Sequence, residues 1–205
     1  MVLRLVTGKF KGKVLSSSDT AKELRPTQAV VREAIINSFN SMFLAEKLSP
    51  YKAFEDIEIL DLYSGSGSMG FEFLSNGVKK VNFVDYDPKC LKLLNDNMRA
   101  MKLEDQVEIY KGKLPDILKK VSLKKKNKID LVFFDPPFKF TTEQYLKTLE
   151  SVLANELLAP KAILLMEFNS KELESLIISR FSETIEIIKS KNFGDCHIIF
   201  AQKIA

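Results

Sequence analysis

A carboxylate followed by two prolines and an aromatic ring closes one apolar stretch of the chain. The run IDLVFF leads directly into Asp135, Pro136, Pro137 and Phe138. Because proline fixes φ and carries no N–H, such a strand end is rigid, and its carbonyls face little competition from neighbouring donors. The Asp135 carboxylate and a main-chain carbonyl such as that of Pro136 can accept both N–H bonds of a planar amine, while Phe138 stacks on the attached ring. We interpret these four residues as catalytic, holding an amine and aiming its lone pair by position and electrostatics.

A second group of residues has the spacing of a cofactor site. The stretch "LDLYSGSGSMG" has glycines in G-x-G-x-x-G spacing, which alone is weak because dinucleotide folds and plain turns share it. Asp61, four residues before Gly65, suits the amino group of a methionine moiety and is a poor neighbour for a pyrophosphate. Asp85, 20 residues after Gly65, suits ribose hydroxyls, whereas Asp87 suits a helix cap. The predicted cofactor-binding residues are Asp61, Tyr63, Gly65, Gly67 and Asp85.

An α/β sheet is needed to position these residues. From Ile57 onward, short apolar runs alternate with amphipathic segments, and helices are expected near 69–76, 87–101, 114–122, 141–153 and 170–178. This alternation predicts parallel βαβ crossovers and a doubly wound, Rossmann-like sheet whose strands present their carboxyl ends at one edge. Two final strand-like runs joined around Gly194 leave no room for a helix, which predicts a C-terminal antiparallel hairpin.

The N-terminal part of the chain has a different pattern. "LRLVTGKFKGKVL" predicts a small β-hairpin, and "TQAVVREAIINSFNSMF" predicts a helix over about 28–43. We therefore expect a hairpin and helix appendage over residues 1–52 and a catalytic domain over residues 53–205.

Basic residues are concentrated in that appendage. The 205-residue chain has a net charge of +4, but residues 1–32 hold seven basic and two acidic side chains, a net +5 that leaves −1 for the rest. Such asymmetry indicates a polyanion partner, most simply nucleic acid, against the alternative of an ordinary solvated surface. The predicted RNA contacts are Lys9, Lys11, Lys13, Arg25 and Arg32.

Composition restricts the other classes of function. Cys90, Cys196 and the single His197 lack metal-ligand spacing, and no apolar run is long enough to cross a bilayer. We expect a cytoplasmic protein with no metal and no membrane partner. Two alternatives stay open: an NAD-dependent oxidoreductase, which would need a proton-transfer residue, and a non-catalytic RNA-binding module.

Taken together, the motifs resemble those of the RsmD-type bacterial 16S rRNA guanine-N2 methyltransferases, a family of class I S-adenosylmethionine (SAM) methyltransferases. "LRPTQAVVREAIINSF" is similar to the family's R-P-T-x-x-x-V-R-E-x-x-F-N motif, "ILDLYSGSGSMGFEFLSNG" to its SAM loop, "LVFFDPPF" to its catalytic strand end and "NFGDCHIIF" to its closing hairpin. The departures are Gln28-Ala29, where the family often has Asp-Arg, and Lys113, where many methyltransferases place an acid near the adenine amine.

The resemblance implies the class I methyltransferase fold, SAM as the cofactor, and transfer of a methyl group to the exocyclic N2 of a guanine. The partner it implies is 16S rRNA, either naked or within a partly assembled small ribosomal subunit. The amine cradle is also compatible with adenine N6 in RNA or DNA. Reaching a base in structured RNA would require the nucleotide to be flipped out.

Overall fold

The computed structural model describes residues 3–16, 27–44, 54–124, 128–137, 139–168, 170–194 and 196–204. The chain separates into two compact units, Met1–Lys111 and Gly112–Ala205, called unit 1 and unit 2 below. The helices are α1 (Ala29–Leu44), α2 (Ser68–Ser75), α3 (Pro88–Met101), α4 (Ile117–Lys124), α5 (Thr142–Ala154) and α6 (Lys171–Phe181). The strands are β1 (Glu58–Leu62), β2 (Lys80–Asp85), β3 (Val107–Lys111), β4 (Ile129–Phe134), β5 (Leu158–Phe168), β6 (Ile185–Phe193) and β7 (Cys196–Lys203).

Unit 1 contains three parallel strands in the order β3-β2-β1. Every residue of β1 is buried, as expected for a parallel strand that helices cover on both faces. Helix α3 begins after Asp87, whose side chain accepts a hydrogen bond from the Lys89 N–H at 2.7 Å, with Pro88 at the first helical position. The predicted cap is thus confirmed, and its geometry follows from the preference of acids for the N-cap and of proline for the first turn.

The N-terminal residues of unit 1 form a short hairpin-like turn, called the N-terminal segment (residues 3–16). Arg4 and Val14 form an antiparallel bridge, and the Leu5 N–H donates to the Lys13 carbonyl at 3.0 Å. The predicted hairpin is therefore confirmed in a reduced form, with one bridge in place of two strands. Helix α1 lies within one residue of its predicted bounds at each end.

Unit 2 contains four strands in the order β4-β5-β7-β6. β4 and β5 are parallel, whereas β7 is antiparallel to both β5 and β6. Gly194, with φ 59°, lies in the turn between β6 and β7. The closing hairpin is as predicted, with its second strand next to β5.

The fold class is thus the predicted one, a doubly wound and mostly parallel α/β sheet of seven strands with a C-terminal antiparallel hairpin. The division of function at residues 52 and 53 stays a prediction. No helix in the described ranges combines the length and apolar character that crossing a membrane would require.

Candidate functional site

Asp61 is a buried carboxyl group near the carboxyl end of β1. The residue is 2% exposed, and its Oδ2 accepts a hydrogen bond from the Gly70 N–H at 3.1 Å. Burial raises the pKa of Asp61 well above its usual range; the Gly70 N–H opposes this rise, and the negative charge of Asp85 adds to it. Because a neighbouring cation would favour the charged form, this position suits an ammonium group far better than a phosphate.

Asp85 holds the glycine loop that follows β1. Its Oδ2 accepts from the Gly65 N–H at 2.8 Å, and its Oδ1 accepts from the Asp87 N–H at 2.9 Å. Burial raises the pKa of Asp85, whereas the backbone N–H groups of Asp87, Gly65 and Tyr86 lower it. Since an ionised carboxylate offers about four acceptor lone pairs, these bonds leave Asp85 able to accept from ligand hydroxyls as well. The structure thus adds a loop-shaping role to the predicted ribose contact.

The glycines of the loop differ in what surrounds them. A Cβ added at Gly65 would have only the Tyr63 carbonyl oxygen nearby, at 3.9 Å, so a ligand can approach the backbone there. A Cβ added at Gly67, where φ is +76°, would lie 2.5 Å from a methyl group of Leu94 and 2.8 Å from the Phe71 ring. Gly67 is therefore required for the packing at the start of α2. Cofactor contacts by Tyr63, Gly65 and Gly67 stay predictions.

The groups gathered in unit 1 fit a ligand that carries an ammonium group and neighbouring hydroxyls. Two carboxyl groups, Asp61 and Asp85, each accept a bond from the backbone of the glycine loop or the helix that follows it. Asp85 could accept from the ribose of either SAM or NAD, whereas a pyrophosphate at the glycine loop would meet the Asp61 carboxylate. The donor and acceptor set fits SAM and disfavours NAD.

The three predicted RNA-binding lysines are exposed on the N-terminal segment. Backbone bonds from the Lys11 N–H to the Gly8 carbonyl and from the Lys13 N–H to the Phe10 carbonyl hold them on one compact turn. The Lys9 ammonium group lies 4.9 Å from the centre of the Phe10 ring. Their contact with RNA stays a prediction, and Arg25 lies outside the described residues.

Arg32 occupies the interior of unit 1, which corrects its predicted RNA contact. The residue is 2% exposed, and its Nε lies 3.2 Å from Oε1 of Glu72, which is also buried. The two terminal nitrogens donate to the carbonyls of Thr27 and Arg4, each at 2.6 Å. A buried charge with this many partners holds the fold together and is not available to a phosphate.

Unit 2 carries the strand end for which the sequence predicts a catalytic role. Asp135 follows β4 and is half-buried, Pro136 is buried, and Pro137 is exposed. The Pro137 carbonyl accepts a hydrogen bond from the Phe140 N–H at 2.8 Å, so it closes a turn. Phe138 lies outside the described residues, and the catalytic roles stay predictions.

Other groups of unit 2 lie at the ends of β5 and β7. Glu167 is buried, and its Oε1 accepts from the Cys196 thiol at 3.1 Å. His197 stacks on Phe168 with ring centroids 5.9 Å apart and 4° between the planes, as expected for a structural strand residue. Within the described ranges, no group of three or more His, Cys, Asp or Glu side chains has the arrangement of a metal site.

The structure places two residues that the sequence did not single out next to the predicted groups. Tyr86 directly follows Asp85 and is 51% exposed. An aromatic residue next to an acid at a strand end is the sequence feature that could have indicated it. Glu72 faces the N-terminal segment from α2, and no local pattern could have revealed this because its partner Arg32 is 40 residues away.

Comparisons with known proteins identify the family of the chain. The family described as "Conserved hypothetical protein 95" matches residues 3–202. "Ribosomal RNA small subunit methyltransferase D" of Haemophilus influenzae is 31% identical over 166 residues, which are 80% of this chain and 78% of that protein. The crystal structure of HI0767, a methylase candidate from Haemophilus influenzae, has a TM-score of 0.71 and 25% identity and covers all of both chains.

A more distant structure shares the fold alone. TrmK of M. capricolum, solved with the cofactor product S-adenosyl-homocysteine, has a TM-score of 0.56 and 14% identity over 72% of this chain and 62% of that one. The family match extends over nearly the whole chain, including the N-terminal segment, the glycine loop and both strand ends. The chain therefore belongs to the "Conserved hypothetical protein 95" family and is an RsmD-type methyltransferase.

Proposed function

We propose that the protein transfers a methyl group from SAM to the exocyclic N2 amine of a guanine in 16S rRNA. The observation that carries this proposal is the Asp135-Pro136-Pro137 strand end in a chain whose family membership is that of a methyltransferase. The name of the Haemophilus influenzae relative supports ribosomal RNA of the small subunit as the substrate. The guanine N2 target comes from the resemblance of the motifs, and adenine N6 is the competing outcome.

The cofactor would be held by unit 1. Asp61 accepts from the ammonium group of the methionine part, Asp85 accepts from the ribose hydroxyls, and the loop at Gly65 lets the ligand lie close to the backbone. When bound, SAM supplies a methyl carbon on a positively charged sulfur, so that attack by an amine nitrogen forms the nitrogen–carbon bond, breaks the carbon–sulfur bond and ends with loss of one amine proton. Tyr86 offers an exposed aromatic face beside Asp85 for the adenine ring.

The acceptor amine would be held by unit 2. The lone pair of an exocyclic guanine amine is delocalised into the ring, so the nitrogen is a weak nucleophile. Hydrogen bonds from its two N–H groups to the Asp135 carboxylate and the Pro136 carbonyl favour a pyramidal nitrogen. Asp135 also offsets the positive charge that develops on nitrogen as the new bond forms.

The N-terminal segment would dock the RNA. Lys9, Lys11 and Lys13 lie on one exposed turn, where they can contact successive phosphates. The ring of Phe10 beside Lys9 adds a surface on which a base can stack.

The product identity tests the proposal directly. Small-subunit particles and naked 16S rRNA from a strain that lacks the gene are each incubated with the purified protein and SAM. Mass spectrometry of nuclease fragments then identifies the modified base and its position. We expect one N2-methylguanine, whereas N6-methyladenine as the product would overturn the guanine assignment.

Replacing Asp135 tests its role. Asp135→Ala is expected to lower the rate by about 10²–10³ because a hydrogen bond that stabilises the transition state is lost. SAM affinity, measured by calorimetry, should stay within a few-fold because Asp135 contacts the acceptor. Glu150→Ala removes an exposed carboxylate from the same unit and should leave both quantities unchanged. Near-normal turnover of Asp135→Ala would rule out the amine cradle.

A further inference from the structure

We propose that Glu167 is the residue that selects guanine over adenine, by accepting a hydrogen bond from the ring N1–H of the target base. This inference rests on the proposed function and adds a second contact to the Asp135 site. Three features of unit 2 carry it: the register of β4 and β5, the thiol of Cys196, and an aromatic clamp behind the two strand ends.

Strand register places Glu167 beside Asp135. Phe134, the last residue of β4, is paired with Met166 of β5. Asp135 follows the end of β4, and Glu167 follows Met166 within β5. In parallel strands, residues at the same register project from the same face of the sheet. Continued by one residue, this register directs Asp135 and Glu167 to the same face of the sheet, on backbones about one strand spacing of 4.7–4.9 Å apart.

Cys196 orients the Glu167 carboxylate. Glu167 is 7% exposed, and its Oε1 accepts from the Cys196 thiol at 3.1 Å. Burial, followed by the negative charge of Glu167, raises the pKa of the Cys196 thiol, which keeps it protonated and a donor at neutral pH. The charge of Asp135 raises that same pKa, which agrees with the register in placing Asp135 close to this pair.

The aromatic clamp holds both strand ends rigidly. Tyr145 of α5 packs edge-on against Phe134 at 4.6 Å and against Phe168 at 6.3 Å between ring centroids. Phe134 immediately precedes Asp135, and Phe168 immediately follows Glu167. The residues next to Asp135 and Glu167 are thus packed against the same tyrosine, which supports a rigid placement of both strand ends.

Two neighbouring carboxylates complement the hydrogen-bond donors on the edge of guanine, whereas the edge of adenine would place an acceptor against one of them. Guanine presents adjacent donors, the N2 amine and the N1–H, so Asp135 can take the first and Glu167 the second. Adenine presents its N6 amine next to an N1 that is itself an acceptor, which would face the Glu167 carboxylate without a proton between them. A buried polar site rejects a ligand that leaves it unpaired much more strongly than an apolar site rejects a shape mismatch.

The variant that tests this is Glu167→Gln. Its Oε1 can still accept from the Cys196 thiol, which directs the new amide NH₂ toward the base in place of an acceptor. We expect kcat/KM on guanine in 16S rRNA to fall by about 10- to 100-fold, the loss typical of a hydrogen bond to a charged group. SAM affinity should stay close to that of the wild type, and the melting temperature should not fall, because the change removes a buried charge. Glu150→Gln makes the same chemical change at an exposed position of α5 and is the matched control.

An altered substrate tests the idea in the wild-type protein. 2-Aminopurine keeps the exocyclic 2-amine but has an unprotonated N1, so the wild type should methylate RNA that carries it at the mapped position at least about 10-fold more slowly than guanine. In Glu167→Gln, the ratio of the rate on guanine to the rate on 2-aminopurine should be smaller than in the wild type, because the Gln amide can donate to N1 of 2-aminopurine. This measurement remains decisive if the variant folds poorly.

The outcomes separate the two proposals. N2-methylguanine as the wild-type product supports the proposed function whatever Glu167 does. The proposed role of Glu167 would be overturned if the wild type methylated guanine and 2-aminopurine equally fast. It would also be overturned if Glu167→Gln methylated guanine as fast as the wild type. Neither result would contradict the proposed methyltransferase function. A wild-type product other than N2-methylguanine would overturn the function first.

Discussion

At the scale of the single residue, the Asp61 carboxylate has opposite effects on protein stability and on ligand binding. Its folded-state pKa is raised, mainly by burial, so the folded protein holds this proton more tightly than the unfolded chain does. The free energy of unfolding therefore falls as the pH rises from the pKa of Asp61 in the unfolded chain to its pKa in the folded protein. Above the folded-state pKa, the folded protein bears the full destabilisation from the buried charge. A bound ammonium group would offset that cost because it favours the ionised carboxylate.

Asp61→Asn should separate the two effects. The amide oxygen can still accept from the Gly70 N–H, and no charge is buried, so at neutral pH the melting temperature without ligand should rise by about 2–4 °C for each kcal/mol recovered. SAM affinity, measured by calorimetry, should fall about 10-fold or more through loss of a charge-assisted bond.

The pH dependence and a control make this result specific. The thermal advantage of Asp61→Asn should shrink as the pH falls below the folded pKa, where the wild-type carboxyl is already protonated. Asp87→Asn is the control, since asparagine caps a helix as well as aspartate does. A melting temperature of Asp61→Asn below that of the wild type at neutral pH would contradict the assignment.

At the scale of elements, the N-terminal segment and α2 form one assembly. The Glu72 carboxylate accepts from the backbone N–H groups of Val6 and Thr7 at 2.8 and 3.2 Å as well as from Arg32. The Ser75 hydroxyl donates to the Thr7 carbonyl at 2.6 Å. Because α2 begins directly after the glycine loop, the proposed RNA-docking segment is attached to the helix that follows the proposed cofactor loop.

Two glycines of the segment provide a matched test of this attachment. Gly8 and Gly12 have φ of +72° and +84°, so alanine meets similar backbone strain at both. A Cβ at Gly8 would lie 2.0 Å from the backbone oxygen of Ser75, whereas at Gly12 nothing lies within 4 Å. Gly8→Ala should therefore undock the segment, while Gly12→Ala should cost only about 1–2 kcal/mol from the strain itself.

Hydrogen exchange and thermal melting would measure the difference. In Gly8→Ala, the amides of Val6, Thr7 and Lys9 should exchange faster, and the melting temperature should fall further than in Gly12→Ala. If the two variants melted alike and protected these amides alike, the segment would not be held at α2 in solution.

At the scale of the whole molecule, charge separates RNA docking from chemistry. The basic excess lies in residues 1–32, and three of its lysines are exposed on one turn. Phosphate contacts release counterions, so a docking surface of this kind must show itself in the salt dependence of RNA binding. Arg32 is excluded from that surface because it is buried against Glu72.

Replacing Lys9, Lys11 and Lys13 with Gln should reduce the slope of log K against log [salt] by about 2–3 units if each contacts one phosphate. SAM affinity should not change, since Asp61 and Asp85 are untouched. The control replaces Lys119, Lys120 and Lys147 with Gln, three exposed lysines of α4 and α5, for the same change in net charge. An unchanged slope in the first variant would place RNA docking on another face.

The sequence by itself determined the features that depend on neighbouring residues. Alternating strands and helices predicted the fold class, and Asp87-Pro88 predicted a helix start. The spacing of Asp61 and Asp85 to the glycines predicted that both acids lie near the glycine loop, where each accepts a backbone hydrogen bond from Gly70 and Gly65 respectively. These features are local because hydrophobic periodicity, capping and tight turns each involve only a few consecutive residues.

Only the tertiary structure decided which distant groups come together. It placed Arg32 in the interior against Glu72, gave Gly67 a packing role against Leu94, and placed β7 between β5 and β6. It also paired Phe134 with Met166, the residue before Glu167. Whether a charge is solvated or buried depends on its partner, and strand order depends on which edges pair. Both are set by contacts between residues far apart in the chain, which no local pattern encodes.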